Sequence, residues 1–389
     1  MSAKYTAAIV GCGDIGHAHM AGYNLVDEVD VVAVVDPNEQ ARNQYAAEYG
    51  IGQSYATVEE MLQTPPDIVS VCTWHPLHPE CTIAAARAGV KAVICEKPMA
   101  IGLGLADSMV EACAESGTKL VISHQRRFTL GWEKARELVA AGAIGQVLRV
   151  DSKIAQGLAN CGTHAIDGIR FILGDPPAAW VMGAVERDTD RYERDTAIED
   201  SCMGLIHMQD GLQVFIQADM DLNGASPGIF ALRGTEGMID VGETYTRLFN
   251  GDTGGWQECD LGVSKDQIHV IGGQANGRQT RELLRWLEGG PEHRGAGSRA
   301  RDTVELMMAL YESARQHRIV HLPLQEKDYP LQLMIDQGRL PVQKEGRYDI
   351  RGFLKRDDID EAAYERLRAQ GMGHHPIMRK LHEERSKGG

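Results

Sequence analysis

The stretch from Tyr5 to Asp36 reads YTAAIV (5–10), GCGDIG (11–16), HAHMAGYNLV (17–26) and, after Asp27-Glu28, VDVVAVVD (29–36). The first and last of these are apolar runs that read as strands. Between them stands Gly11-x-Gly13-x-x-Gly16, followed by a helical stretch, and the second strand ends on an acid 20 residues after Gly16. Strand, glycine turn, helix, strand and acid are together the context that a dinucleotide site requires. The glycines permit a tight turn and a close backbone approach. The helix then offers free N–H groups and a partial positive charge to a pyrophosphate. Gly11, Cys12, Gly13, Asp14, Ile15 and Gly16 are therefore candidate cofactor contacts. Asp36 suits the adenosine ribose hydroxyls. Its charge repels a 2′-phosphate and no arginine adjoins it in the sequence, which favours NAD over NADP.

The alternation continues outward from this unit. Helices are predicted over 38–49, 80–88 and 105–115, and Thr57-Val58-Glu59-Glu60 is a capping box that opens a short one. Strands are predicted over 67–72, 90–95 and 119–123. Strands alternating with helices mean a parallel, doubly wound α/β sheet, the Rossmann arrangement. Ligands of such sheets bind at the carboxyl ends of the strands. Three segments converge there: Gly11 to Gly16, Thr73-Trp74-His75 and Glu96-Lys97-Pro98. His78 follows closely and joins His75 as a nucleotide-loop candidate. The bland alternative for Glu96-Lys97 is an ion pair at a strand end.

With 389 residues the chain exceeds one typical core, so two domains and a tail are expected. A net charge of −15 argues against a nucleic-acid groove and against anionic membranes. No signal peptide, membrane-span run or Asn-x-Ser/Thr sequon is present, and the eight cysteines are scattered without pairing. These features point to a cytoplasmic protein. No metal site is expected, because no histidine or cysteine pair is joined by a second pair.

After Ser123 and HQRRF (124–128), a helix over 132–141 leads into strands over 146–156, 178–186, 198–208, 212–219 and 228–232. Turns such as Gln209-Asp210-Gly211 separate some of these. The result is a largely antiparallel sheet in an α+β domain. One helix, 162–174, interrupts it. Its Ile166, Ile169, Ile172 and Leu173 form an apolar stripe, while His164 and Asp167 share another face.

Four segments carry a family resemblance: GCGDIG after a strand, CEKP, HQRRF followed by AAGAIGQV, and N-x-G-x-H-x-I-D at 160–167. Ala309-Leu310-Tyr311-Glu312-Ser313-Ala314 near Leu322-Pro323 is a looser fifth. In order and spacing the chain resembles the glucose–fructose oxidoreductase and inositol dehydrogenase (Gfo/Idh/MocA) family over roughly residues 5–324. The resemblance implies a Rossmann domain followed by an α+β domain with a large, mostly antiparallel open sheet. It implies an NAD(P)-dependent oxidoreductase of sugars or polyols, and a sheet face that makes a homodimer or homotetramer. The family's EKP lysine falls on Lys97. Its usual Asp-x-x-x-His pair falls on Asn160 and His164, so an amide replaces the acid. Gln125 of HQRRF joins the cofactor set with Pro98.

Alcohol oxidation needs a base for the hydroxyl proton and a donor for the developing alkoxide. His164 suits the first role and Lys97 the second, or a proton relay. Asn160 can orient the histidine but carries no charge, and Asp167 could compensate for that. Asn160 also reads as a helix cap, and His164 as a locally bonded helix-start histidine. Arg126, Lys153, Lys97, Asn160, His164 and Asp167 are the substrate-side candidates. The expected division is 1–123 for NAD, 124–324 for substrate and oligomerisation, and 325–389 as an extension. The expected reaction converts a secondary alcohol of a sugar, sugar derivative or cyclitol to a ketone, or the reverse. One rival is a redox-neutral glycoside-cleaving or epimerising enzyme that keeps its NAD. Another is a non-catalytic dinucleotide sensor. The tail carries a helix over 360–370 and ends in HEERSKGG, which is expected to fray.

Overall fold

The apolar runs of the first third of the chain assemble into one parallel sheet. In a computed structural model that describes residues 4–269, 271–356 and 359–388, strands β1 (Tyr5–Val10), β2 (Val29–Val35), β3 (Gln53–Tyr55), β4 (Ile68–Val71), β5 (Ala92–Cys95) and β6 (Lys119–Ile122) lie in the order β3-β2-β1-β4-β5-β6. Helices α1 (Asp14–Tyr23), α2 (Glu39–Tyr49), α3 (Val58–Met61), α4 (His78–Arg87) and α5 (Leu103–Ser116) make the crossovers. Every residue of β4 and of β5 is buried, because helices cover both faces. Local chemistry sets the helix starts. Asn38 accepts from the Ala41 N–H, and the Thr57/Glu60 box forms as the sequence predicts. The strand order reverses between β1 and β4, which opens a crevice at their carboxyl ends.

Beyond α6 (Leu130–Ala140) and α7 (Thr163–Leu173) the pattern changes. A nine-stranded sheet is built from β7 (Val147–Ile154), β8 (Ala178–Glu186), β11 (Ser201–Met208), β12 (Gln213–Ala218), β13 (Phe230–Gly234), β14 (Gly237–Val241), β15 (Thr246–Asn250), β16 (Gln257–Glu258) and β17 (Val320–His321). All its pairs are antiparallel except β7 with β12. Alternation on β11 and β12 buries Cys202, Ile206, Val214 and Ile216 on one face and leaves Met203, Leu205 and Phe215 on the other. The buried face receives α9 (Gly297–Gln316), whose Val304, Met307, Leu310 and Tyr311 are fully enclosed. Helix α8 (Gly273–Leu287) returns to the first domain. Asn276 Nδ2 donates to the Ala18 carbonyl at 3.0 Å, and Leu283 joins the first domain's core.

A third sheet links domain and tail. Hairpin β9 (Thr189–Glu193) and β10 (Thr196–Ala197) takes β18 (Lys344–Asp349) as a third strand, parallel to β9. Strands β9, TDRYE, and β18, KEGRYD, are rich in charge, so no apolar alternation announced them. After α10 (Pro330–Asp336) and β18, helices α11 (Glu361–Ala369) and α12 (His374–Gly388) fold back. Leu354, Tyr364, Ile377, Met378 and Leu381 form a small core of their own, against which Trp74 packs. The end of the chain, expected to fray, continues as helix to Gly388.

Candidate active site

The three glycines of the β1–α1 turn meet different surroundings. Gly11 sits at φ +101°, and a Cβ there would lie 2.7 Å from the Cys72 carbonyl oxygen. A Cβ on Gly16 would lie 2.2 Å from the Gly11 oxygen, so Gly16 serves close packing of helix on strand. A Cβ on Gly13 would meet nothing within 4 Å, since it faces the crevice. Helix α1 has no side-chain cap, which leaves its amino terminus open to an anion. The turn thus fits a dinucleotide pyrophosphate. Asp36 is held at the end of β2 by the N–H groups of Cys12 and Asn38, each at 2.9 Å. One expectation needs correction here. Although no arginine adjoins Asp36 in sequence, Arg42 donates to the Asp36 and Pro37 carbonyls, and Arg356 of the tail lines the same part of the crevice.

The crevice has a volume of about 770 Å³. Thr73, Trp74, His75, His78, Glu96 and Lys97 line its inner end. His78 holds two loops together, with Nδ1 at 2.8 Å from the Pro98 carbonyl and Nε2 at 3.1 Å from that of Thr73. His75 contacts Thr196 Oγ1 at 2.7 Å and so ties the β9–β10 hairpin to the crevice. Glu96 is buried. Burial pushes its carboxyl up, but the His19 hydrogen bond and the Lys97 charge outweigh this and hold it at about 2. Its oxygens take the His19 ring at 3.1 Å and the Lys97 backbone N–H at 3.2 Å. The Lys97 ammonium forms no salt bridge among the described residues, so the Glu96–Lys97 ion pair is not what this strand end is for. Burial first, and then Arg194, lower its pKa.

Opposite lies a π-helical turn, Gly157–Gly162, that leads into α7. Carboxylates hold it by its backbone. Asp219 accepts from Gln156 and Gly157 N–H at 2.8 and 2.7 Å, and Glu199 accepts from Leu158 N–H at 2.5 Å and from the Tyr311 hydroxyl at 2.6 Å. The turn presents Asn160, and the first turn of α7 presents His164; they are 3% and 5% exposed. Asn160 Nδ2, His164 Nδ1 and Thr73 Oγ1 are all buried without a partner. Buried polar atoms in folded proteins are usually hydrogen-bonded, so these three are open to a water or to a bound ligand. Burial, followed by the charges of Arg126, Lys97 and His124, pushes the His164 pKa well below its usual value. The ring is neutral near pH 7 and able to accept a proton.

Several expectations are corrected. Asn160 neither caps α7, whose N-cap is Gly162, nor hydrogen-bonds His164. Asp167 does not assist His164. Arg127 grips both its oxygens, at 2.7 and 2.8 Å, in a buried network with Asp175. Lys153 alternates with buried Ser152 and Ile154, so it points to the open face of the sheet, where it pairs with Asp221 at 2.5 Å. Gln125 accepts from the Gly272 N–H at 2.7 Å, outside the crevice lining. Arg126 stays near His164 and donates to Glu243 at 2.6 Å.

Sequence reading missed the residues that close the crevice from outside: Arg194 and Asp195 on the hairpin, and Leu354, Arg356, His374 and His375 on the tail. The His375 N–H donates to Asp14 at 3.3 Å, and Arg368 pairs with Glu48 at 2.6 Å. The only signal was indirect, a tail longer than the recognised pattern that contains an amphipathic helix.

Comparison with known proteins agrees with this fold. Residues 5–124 match the oxidoreductase family with an NAD-binding Rossmann fold, and residues 132–240 match the GFO/IDH/MocA C-terminal domain. The chain is 31% identical over 251 residues to the 1,5-anhydro-D-fructose reductase of Ensifer adhaerens, across 59% of this chain and 74% of that one. It is 25% identical over 365 residues to the D-apiose dehydrogenase of Paraburkholderia graminis, across 84% and 92% of the two. Levoglucosan dehydrogenase in complex with NADH superposes with a TM-score of 0.73 at 20% identity, over 82% of this chain and 99% of that structure. Fold and crevice define the class, an oxidoreductase with an NAD-binding Rossmann domain. The chain belongs to the Gfo/Idh/MocA family.

Proposed function

We propose that this protein oxidises a secondary alcohol of a sugar, sugar derivative or cyclitol to a ketone with NAD, or runs the reverse reaction. The observation that carries the reading is the set of unpartnered polar groups, Thr73, Asn160 and His164, with Thr73 lining the crevice beside Lys97 and His164 within the electrostatic reach of that lysine. The similar reductase and dehydrogenases act on sugars, as their names state. NAD, when bound, supplies the hydride acceptor. Lys97 donates a hydrogen bond to the reacting oxygen and stabilises it as the hydroxyl proton leaves. Neutral His164 takes that proton. Asn160 donates its free amide hydrogens to a substrate hydroxyl. Asp36, at the ribose end, favours NAD over NADP even with Arg42 and Arg356 near.

In this reading residues 1–123 hold NAD, residues 124–324 bind substrate and pair subunits, and residues 325–389 cover the crevice. The location is cytoplasmic. A second copy of the chain pairs through the open sheet face, as a homodimer or a homotetramer. That face carries Met182, Met203 and Leu205 beside Arg149 and Asp151, so both apolar and charged contacts can repeat about a two-fold axis. Among the described residues no helix is long and apolar enough to cross a membrane.

The test is NADH absorbance with purified protein, NAD and a panel of sugars, sugar acids and inositols. One polyol class is expected to reduce NAD. The Lys97→Ala variant is expected to lose about a hundredfold or more in kcat/KM. The acid limb of the kcat/KM profile is expected below pH 6.5, the ordinary imidazole value, because His164 is held neutral. Full activity of Lys97→Ala would sink the reading.

A further inference from the structure

The β9–β10 hairpin turns at Arg194 and Asp195, which lie at φ 48° and 65°, in the left-handed region that glycine usually occupies. Both are ordinary residues, so each costs conformational energy that the surroundings must offset. The offset comes from the tail. Asp349, the last residue of β18, accepts from the Arg194 N–H at 3.1 Å and from the Asp195 N–H at 2.8 Å. The same carboxylate accepts from the Arg351 N–H at 2.8 Å. One tail carboxylate therefore positions two arginines.

Arg194 lines the crevice together with Lys97. Arg351 donates from Nη2 to Gln156 Oε1 at 2.7 Å, at the start of the turn that presents Asn160, and its Nε is buried with no acceptor. Arg194 is paired with Glu193, whereas neither Lys97 nor Arg351 forms an ion pair among the described residues. Glu193 receives Arg194 Nη1 and faces His75 Nδ1 at 3.4 Å. Glu96 is turned to His19 and to the Lys97 backbone. Asp195 is taken by Arg347 and Lys355 at 3.1 and 3.0 Å. Burial first, and then the charge of Arg194 crowded beside them, lower the pKa of both Lys97 and Arg351, while Glu193 opposes the shift. Such crowding persists where a ligand supplies the missing anion, and the planar guanidinium fork matches a carboxylate or phosphate.

We propose that the substrate carries an anionic group, carboxylate or phosphate, bound by Arg194 and Arg351 beside the alcohol that faces Lys97. This deepens the dehydrogenase reading and rests on it for the position of the alcohol. The pyrophosphate of the cofactor is served by the glycine turn and α1, so it does not account for Arg351 at the Asn160 turn.

The test uses the full chain with NAD and matched ligands: D-glucose, D-glucuronate and D-glucose 6-phosphate, then D-galactose and D-galacturonate. Two readouts are taken, NADH formation and the melting temperature of the NAD-loaded protein. The anionic member of a set is expected to exceed its neutral partner about tenfold in kcat/KM and to raise the melting temperature more. Glucuronate against the 6-phosphate tells which anion. Arg194→Ala and Arg351→Gln are expected to shrink that ratio about tenfold each while NADH affinity, read by fluorescence, changes less than twofold. Arg351→Gln leaves the hairpin turn intact and decides the matter if Arg194→Ala unfolds. NAD reduction with equal or better use of the neutral sugars would overturn the inference and leave the dehydrogenase standing. Loss of NADH affinity with an unchanged ratio would also overturn it, since the arginines would then serve the cofactor. Anion-selective stabilisation without NAD reduction by any ligand would support the inference and sink the dehydrogenase.

Discussion

Gly13 and Gly16 stand three residues apart in one motif and answer to different constraints. Gly16 is excluded from larger side chains by the Gly11 carbonyl, 2.2 Å from where a Cβ would be. Gly13 has φ −81° and ψ −173°, angles that alanine adopts freely, and open space where its Cβ would go. Gly16→Ala is therefore expected to destabilise the free protein by about 1–3 kcal/mol. Gly13→Ala is expected to leave its melting temperature level or slightly raised, yet to weaken NADH about tenfold or more by intruding on the pyrophosphate. Thermal denaturation and NADH fluorescence titration check both, and equal effects of the two variants would refute the division. The motif was legible because a turn, a helix start and an acid leave a local pattern. The company of Asp36 was not. Arg42 reaches its backbone carbonyl from the first turn of α2, and Arg356, from the tail, lines the same crevice.

Among the elements, the tail departs most from expectation. Helix α11 was readable and α12 was not, and neither was their position against α1, α2 and Trp74, because it rests on contacts hundreds of residues apart in sequence. Tail residues Leu354, Arg356, His374 and His375 line one wall of the crevice, and the expectation is that the tail opens when cofactor leaves. Ile377 is fully buried in the tail's own small core and has no place in the two larger ones. Ile377→Asp would bury an unpaired charge, which costs more than so small a core can offset. The expected result is NADH release accelerated about tenfold, read by stopped-flow fluorescence, since local opening replaces a cooperative one. The main melting transition should stay in place. An unchanged release rate would mean that the tail is a wall and not a gate. The π-helical turn before α7 likewise escaped notice, because carboxylates from β12 and its neighbours hold it rather than any local propensity.

For the whole molecule, the open face of the nine-stranded sheet carries exposed apolar side chains that have no covering element among the described residues. Met182 is 48% and Met203 51% exposed on it. Exposed apolar side chains of this kind suit the proposed subunit contact. Light scattering is expected to give a dimer or tetramer for the native chain. A Met203→Glu, Leu205→Glu double variant is expected to halve the mass at least, because a two-fold contact places each new charge near its own copy. A native chain that runs as a monomer would exclude this interface.

By itself the sequence determined the parallel sheet, the glycine turn, the capping box of α3 and the mostly antiparallel second sheet, and through the family resemblance it supplied Lys97, Asn160 and His164 as site candidates. These rest on short-range periods and on residue types whose backbone preferences act within a few positions. Tertiary structure alone decided which charges meet. It gave Asp167 to Arg127, turned Lys153 to the open face, left Asn160 and His164 without each other, brought Arg194 and Arg356 to the crevice from the hairpin and the tail, and set Arg351 against Gln156 at the start of the turn that presents Asn160. The reason is physical. A side chain's partner is set by the packing of elements distant in sequence, and pairing in a buried site carries no signature in the order of residues along the chain.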